Sequence, residues 1–460
     1  MRELESIINA IASAGGIAYQ VGGCVRDQIL NIASKDMDIE VYHLDAPALS
    51  RLLARFGRVN EVGVSFGVIK LSTPSGEELD FTLPRRENKT GRGHRGFQVE
   101  VDHTMTVEEA ALRRDFTINA IYRNAHNLEL LDPHGGIPDL ESRKLRATSQ
   151  HFAEDPLRVL RGMQFAARLD ASLTPETAQM CQTLSDEYSS LAQERVWIEW
   201  SKWGTKGRVP SKGLQVLCDS SWIKHYPELS SLQGVEQDQQ WHPEGDVWKH
   251  TNHVCDAAAM IADREQLDDS ERLILLFAAL CHDMGKPETT VYEDGRWRSP
   301  GHARAGVPIA SSFLRRIGCP IALIEIILPL VAEHMVHFDA DVSYRTARRL
   351  SVRLGKASLV QLGRLVEADL GGRPPLPPNQ SPTMQQILRL AESIQIEHSK
   401  PAPIIQGRDL IALGFAPAPW FREVLDQCFE AQLDGVFESA GAGLDFLKNL
   451  VSARNQVDSN

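Results

Sequence analysis

Apolar positions in the first third of the chain switch repeatedly between two periods. Leu4, Ile7, Ile8 and Ile11 fall on one side of a helix spanning 1–16. Short apolar runs at 18–22, 37–42, 67–72, 78–83 and 118–122 read as strands, and 46–56 reads as a helix. Pro74-Ser75-Gly76 marks a hairpin turn between two of these runs. Strands and helices alternate up to about residue 132, where Asp132-Pro133-His134-Gly135-Gly136 closes the α/β unit. Residues 84–104 interrupt the pattern with a basic, glycine-containing segment, whose composition predicts a mobile loop.

Beyond residue 140 the helical period takes over. A helix is expected to open at Asp155-Pro156, with proline in its first turn, and another to cover 190–203. Trp197, Trp200 and Trp203 recur in the latter at helical spacing and read as core. Residues 204–245 carry few signals, a histidine-rich helical unit follows, and the proline-rich stretch 373–382 reads as a linker. The pattern predicts an α+β protein with a small mixed-sheet head. Expected boundaries are a head at 1–140, an all-α neck at 141–245, a histidine-rich domain at 246–372 and a helical tail at 383–460.

Composition narrows this picture in three ways. A formal net charge of −12 excludes a chain coated for nonspecific nucleic-acid binding and leaves room only for a local basic groove. The seven cysteines are scattered without a C-x-x-C, which points to reduced thiols in a cytoplasmic protein. The N-terminus lacks a signal-peptide pattern, and no apolar run reaches the length of a membrane span.

Three constellations carry candidate chemistry. In the first, a strand runs into Gly22-Gly23, where backbone N–H groups can approach an anion, and Arg26 adds a fixed charge one turn on. Asp36 and Asp38 then stand at the head of a second strand, two residues apart and therefore on one face. Asp80, mid-strand in Glu78-Leu79-Asp80-Phe81, is placed to complete a carboxylate trio for Mg²⁺-dependent phosphoryl or nucleotidyl transfer. The second constellation is Arg113-Arg114-Asp115-Phe116-Thr117-Ile118-Asn119-Ala120, an arginine pair suited to phosphate ahead of an expected strand. Asp115 and Asn119 there are candidates for orienting the arginines or sugar hydroxyls. The third is Glu154-Asp155-Pro156-Leu157-Arg158, continuing through Arg161 to Arg168, with positions 158, 161, 164/165 and 168 on one helix face.

In this order the motifs resemble those of the class II tRNA nucleotidyltransferases and the related bacterial poly(A) polymerases: G-G-x-[VA]-R-D, D-x-D, R-R-D-[FL]-T-I-N-A and E-D-x-x-R. Glu194-Arg195-Val196-Trp197-Ile198-Glu199 matches the family's Glu-Arg helix motif, and the likeness covers roughly residues 17–203. The resemblance implies that Gly23, Arg26 and Arg114 contact the incoming nucleotide. It implies that Asp36 and Asp38 bind Mg²⁺, and that Asp80 is the catalytic carboxylate. Asp155 and Arg158 would read CTP and ATP, and Arg161 would contact the triphosphate. Cytosine and adenine both present an amino donor beside a ring-nitrogen acceptor, which a carboxylate and a guanidinium can match. Guanine and uracil present the reverse pattern and leave buried groups unpaired. Family members often carry a further arginine where this chain has Gln164. The loop at 84–104 matches the family's flexible loop in position.

The histidine-rich segment carries His250, His282-Asp283, His302, His334 and Asp369. Imidazoles and carboxylates so combined can hold one or two divalent transition-metal ions and suit phosphoester hydrolysis. Around them, Ala279-Leu280-Cys281-His282-Asp283-Met284-Gly285-Lys286 resembles the HD phosphohydrolase superfamily, with His250, His282, Asp283 and Asp369 as the implied metal ligands. The two resemblances together imply a cytoplasmic bacterial CCA-adding enzyme with an HD domain, acting on tRNA with CTP and ATP, as a monomer or homodimer. The alternatives are a poly(A) polymerase, a member adding only CC or only A, and an HD phosphohydrolase with a nucleotide-sensing head.

Overall fold

The computed structural model describes residues 2–32, 37–60, 67–89, 97–339 and 341–457. They form two compact units, Met1–His225 and Tyr226–Asn460. Asp36 and the segment 90–96 lie outside the described residues.

The first unit is built on β1 (Ile17–Val21), β2 (Asp38–Tyr42), β3 (Arg58–Asn60), β4 (Val68–Ser72), β5 (Glu78–Thr82), β6 (Arg85–Lys89), β7 (Phe97–Val101), β8 (Tyr122–Asn124) and β9 (Leu130–Leu131). Seven of these strands form one sheet in the order β3-β4-β5-β2-β1-β8-β9. Neighbours are antiparallel except β2 and β5, which run parallel. α1 (Arg2–Ser13) and α3 (Ala46–Leu53) cover one face, burying Ile39, Val41, Ile69, Leu71 and Phe81 against Ile7, Ile11 and Leu49. Asp45 caps α3 by accepting from the Ala48 N–H at 2.7 Å. On the other face Tyr19, Tyr42 and Tyr122 pack edge to face beneath Val107 and Ala111. β1 buries Ala18 on one face and Tyr19 and Val21 on the other, which is why it stood out in the sequence.

Two expectations are corrected. The run 118–122 is not a strand: Thr117–Asn119 form a 3-10 turn, and the strand begins at Tyr122. Asp115 accepts from the Phe116 N–H and from Asn119 Nδ2, and this pins the turn, while a buried apolar run reads alike in either conformation. Within 84–104, Arg85–Lys89 and Phe97–Val101 are paired antiparallel from Arg85↔Val101 to Lys89↔Phe97, so its arms are an ordered ribbon. Phe97, Val99 and Val101 alternate with polar residues, a period-2 signal masked by the basic residues around it.

The remaining helices of this unit are α2 (Gly23–Ile29), α4 (Val107–Ala111), α5 (Gly136–Glu141), α6 (Leu157–Leu169), α7 (Pro175–Thr183), α8 (Gln193–Lys206) and α9 (Pro210–Asp219). α6 packs against both α8 and α9. Trp200 and Trp203 are fully buried there, Trp203 Nε1 donating to the Pro210 carbonyl at 3.0 Å, and Trp197 is half-buried.

The second unit continues with α10 (Pro227–Ser230), α11 (Val247–Arg264), α12 (Asp269–Cys281), α13 (Lys286–Thr289), α14 (His302–Arg316), α15 (Ile321–Glu333), α16 (Val336–Asp339), α17 (Tyr344–Arg353), α18 (Leu359–Gly371) and α19 (Pro382–Ser393). Asp246 and Asp268 cap α11 and α12. α11, α12 and α18 pack together, and α15 packs on α12 and α14. The tail is α20 (Gly407–Ala412), α21 (Trp420–Leu433) and α22 (Ala440–Val457), around its own core of Leu410, Val424, Phe437 and Leu447. Among the described residues no helix is long and apolar enough to cross a membrane.

The α6–α9 crossing depends on a missing side chain. A Cβ at Gly213 would lie 2.6 Å from the Met163 carbonyl oxygen and 2.7 Å from Trp203 Cδ1. Gly213→Ala is expected to destabilise the first unit by about 1–3 kcal/mol, read by urea unfolding, because neither neighbour is the free end of a flexible chain.

Candidate functional site

Parallel pairing of β2 and β5 sets Asp38 directly opposite Asp80. Both carboxylates therefore leave the same face of the sheet, on the side opposite Ile39 and Phe81. Asp80 Oδ2 accepts from Lys70 Nζ at 2.9 Å, and Asp38 lines a cavity of about 590 Å³. Asp80 stands beside that cavity by register and is not part of its lining.

The glycine turn forms one wall. Gly22 has φ +72°, and a Cβ there would meet Arg114 Nη1 at 3.0 Å, so the glycine gives both the turn and the room for a guanidinium. Glu40, two residues beyond Asp38, holds Arg114 from behind at 3.2 Å and accepts from the Tyr42 hydroxyl. Burial pulls the Arg114 pKa down, and contacts with Tyr122 and Glu40 more than reverse this. Arg26 is buried, bonded to Asp27 through Nε and Nη2 and to Asn119 through Nη1.

The opposite wall is the α6 face. Arg158, Arg161, Gln164 and Arg168 all line the cavity, as the helical spacing required. Arg158 donates to the carbonyls of His151 and Arg113, each at 2.7 Å. Arg161 Nε donates to Asp115 Oδ2 at 2.7 Å, and Arg168 reaches Asp27 at 2.8 Å. Burial pushes the Asp115 carboxyl up, but Arg161 and Asn119 outweigh it and bring its pKa down to about 2. Phe165 lies under both Arg26 and Arg161, with guanidinium carbons 5.1 and 5.3 Å from its ring centre. Asp155 is fixed by Arg195 at 2.9 Å and by the Leu157 N–H at 3.1 Å.

In the second unit, helix ends bring the expected metal residues together. His282 and His334 follow α12 and α15, His302 opens α14, and Asp369 lies in the last turn of α18. His250 Nε2 lies 3.0 Å from Asp369 Oδ1 and 3.4 Å from His282 Nε2. His302 and His334 Nε2 face each other at 3.1 Å. Asp283 lies between the pairs, with Oδ2 3.2 Å from His282 and Oδ1 3.3 Å from His302. His282, His302 and His334 donate from Nδ1 to backbone carbonyls, which leaves their Nε2 lone pairs facing inward. Lone pairs at 3.1 Å repel unless a cation lies between them, and neither buried oxygen of Asp283 has a well-aligned hydrogen-bond donor. This donor set fits divalent metal, in groups of His250, His282 and Asp369 and of Asp283, His302 and His334.

Comparison with known proteins assigns a domain family to the stretch around each site. Residues 18–146 match the poly A polymerase head domain, and residues 247–395 match the HD domain. A multifunctional CCA protein of Xanthomonas campestris is 38% identical over 367 residues, covering 77% of this chain and 85% of that protein. One from Xylella fastidiosa is 38% identical over 368 residues, covering 77% and 84%. The chain belongs to the CCA-adding enzyme family. The fold agrees over almost the whole length. The Bacillus stearothermophilus CCA-adding enzyme in complex with CTP superposes with a TM-score of 0.66 at 22% identity, covering 99% of this chain and 98% of that one. The Thermotoga maritima CCA-adding enzyme complexed with tRNA gives 0.59 at 18% identity, covering 97% and 94%.

Several residues of this CCA-adding family member escaped sequence reasoning. Lys202 and Lys206 line the head cavity from α8, beside Arg195. Their spacing from Arg195 and Glu199 puts all four on one helix face, a signal hidden under the tryptophan stripe. Glu40 was legible as the next same-face position after Asp38. His242 and Glu244, against His250, lie in a stretch without helical periodicity.

Asp115 joins the arginine motif to α6. Asp115→Ala is expected to cost about 1–3 kcal/mol at neutral pH, because it removes the buried acid that holds the half-buried Arg161 guanidinium and the Asn119 turn. The contribution is complete above the unfolded carboxylate range, near 3.9, and fades as pH falls towards the folded value of about 2. The gap between the urea midpoints of the two proteins should therefore hold from pH 7 to about pH 5 and narrow between pH 4 and pH 3.

Proposed function

We propose that this chain adds C, C and A to the 3′ end of tRNA from CTP and ATP, without a nucleic-acid template. The observation that carries this reading is the pairing of Asp38 with Asp80 at the edge of a cavity lined by arginines from α2, α6 and the Arg113-Arg114 motif. Asp36 and Asp38 offer hard oxygen ligands that would hold Mg²⁺, and the ion would supply charge to lower the pKa of the attacking hydroxyl and to neutralise the leaving pyrophosphate. Asp80 takes the proton of the tRNA 3′-hydroxyl as it attacks the α-phosphate. Gly23, Arg26, Arg114 and Arg161 receive the phosphates.

Asp155 and Arg158 act as the base-reading pair. Their own bonds to Arg195 and to backbone carbonyls fix both groups before nucleotide arrives, so orientation costs little on binding. Asp155 accepts from the amino group shared by cytosine and adenine, and Arg158 donates to the adjacent ring nitrogen. The helical region beyond residue 200 grips tRNA by the shape of its backbone. The chain works in the cytoplasm, with a head at 1–140, a neck at 141–245, an HD domain at 246–372 and a tail at 383–460.

His250, His282, Asp283 and Asp369, joined by His302 and His334, form a divalent transition-metal centre for phosphoester hydrolysis. Metal bound there supplies an activated water and polarises the phosphoryl oxygen. Lys286, with Nζ 2.7 Å from Asp283 Oδ2, adds a buried positive charge beside it.

The direct test uses purified protein and tRNA ending at the discriminator base, with CTP alone, ATP alone and then both, and 3′-end sequencing. Addition of CC from CTP alone and CCA from both is expected; an A tail from ATP alone overturns the reading in favour of polyadenylation. Asp38→Ala should lower incorporation about a thousand-fold, the equivalent of roughly 4 kcal/mol of lost charge stabilisation, while phosphoester hydrolysis persists. His282→Ala should do the reverse. Loss of discrimination is the expected signature of Asp155→Ala, read as a rise in GTP and UTP incorporation relative to CTP and ATP.

A further inference from the structure

The imidazoles of the HD cluster differ in how their Nδ1 protons are held. His282, His302 and His334 each donate to the carbonyl three residues earlier, at Ala279, Ser299 and Val331, over 2.7–2.8 Å. Each stands at a helix end, where backbone geometry turns the ring onto its own chain. His250 lies inside the first turns of α11, and the carbonyls behind it are engaged. Asp246 O accepts the His250 N–H at 3.1 Å, and Val247 O accepts the Thr251 hydroxyl at 2.8 Å. Its Nδ1 therefore turns outward, donating to the Gly372 carbonyl at 3.2 Å, with the Glu244 carboxylate beside it as the nearer charge, Oε1 at 2.7 Å.

Glu244 is unusual for a carboxylate on a loop. Its side chain is 0% exposed, and Oε1 also takes His242 Nδ1 at 2.9 Å, while Oε2 has no partner. The His242 ring packs edge-on against His250 with centres 4.6 Å apart. Two residues on, Asp246 caps α11 and fixes the loop that carries Glu244. The carboxylate meets His250 on the Nδ1 side, away from the Nε2 edge where His282 and Asp369 converge.

We propose that Glu244 is a positioning residue of the HD metal centre, holding the His250 proton on Nδ1 so that Nε2 presents its lone pair to metal. His242 steadies Glu244 from the other side. The inference rests on the metal reading given above. A carboxylate behind a ligating histidine fixes the tautomer and ring orientation and makes the ring a stronger donor, and losing one typically costs 10–100-fold in metal affinity.

The test uses the full chain, stripped of metal by chelator and titrated with Co²⁺, whose visible absorption reports histidine ligation. Glu244→Ala should bind Co²⁺ about 10–100-fold more weakly with altered visible bands, at a circular dichroism spectrum like that of the parent. Glu244→Gln, isosteric and still an acceptor but uncharged, should recover part of the loss and carries the same test if the alanine variant does not fold. A merely structural role would lower thermal stability without moving the Co²⁺ bands. A parent protein showing no Co²⁺ bands of histidine ligation overturns the metal reading and the inference with it. A parent that shows them, with variants matching its affinity and bands, overturns the inference alone.

Discussion

Mutual repulsion among arginines crowded around one cavity is the constraint on which the first unit is built. Among the described residues, eight arginine and lysine side chains line it against three aspartates. At such spacing, like charges in a partly desolvated space repel by several kcal/mol each unless acids stand behind them. The chain sets those acids in and behind the cavity wall. Asp27 takes Arg26 and Arg168, Asp115 takes Arg161, Asp155 takes Arg195, Glu40 takes Arg114, and Glu199 takes Lys202. A protein of net charge −12 can thus present a cationic cavity, because part of its acidity is spent locally. The same pairs hold each guanidinium in one orientation, so stability and pre-organisation come from one set of contacts.

The second unit has the opposite problem. Carboxylates and imidazole lone pairs converge on a common space, and Lys286 is the cation set among them. Burial lowers the His334 pKa, and His282 and His302 lower it further, to about 3, so that ring stays neutral and ready to ligate. Burial acts the same way on His250, yet the carboxylates of Asp369 and Glu244 outweigh it and raise its pKa, favouring a positive charge at Nε2 that a metal ion would supply in place of a proton. The cluster is built around positive charge held centrally, whereas the head cavity is built around negative charge arriving from outside. One chain therefore carries two polar clusters of opposite electrostatic design.

The sequence was most legible where function demands neighbours along the chain. Gly22-Gly23, Arg26, Asp155-x-x-Arg158 and His282-Asp283 are local patterns, and periodicity placed their strands and helices within a few residues. It was least legible where contacts bridge distant segments. Nothing near Asp155 announces Arg195, and nothing near His250 announces that its Nδ1 meets the Gly372 carbonyl and Glu244. The turn at Thr117–Asn119 escaped for the same reason, being fixed by Asp115 and by packing and not by propensity. Basic residues hid the alternation of the 85–101 ribbon because charge there dominates composition without changing the period.

Gln164 becomes intelligible in these terms. It is 2% exposed on α6, between Arg161 and Arg168 on the cavity wall. An arginine there would need its own buried acid, yet Asp115 and Asp27 already serve Arg161, Arg26 and Arg168. A neutral amide avoids an unpaired buried charge, which would cost more than a phosphate contact returns. The cavity regains positive charge from Lys202 and Lys206 on α8, nearer solvent, where water screens their repulsion from the arginines. A neutral wall position and lysines at the rim thus both follow from how many acids the wall can supply.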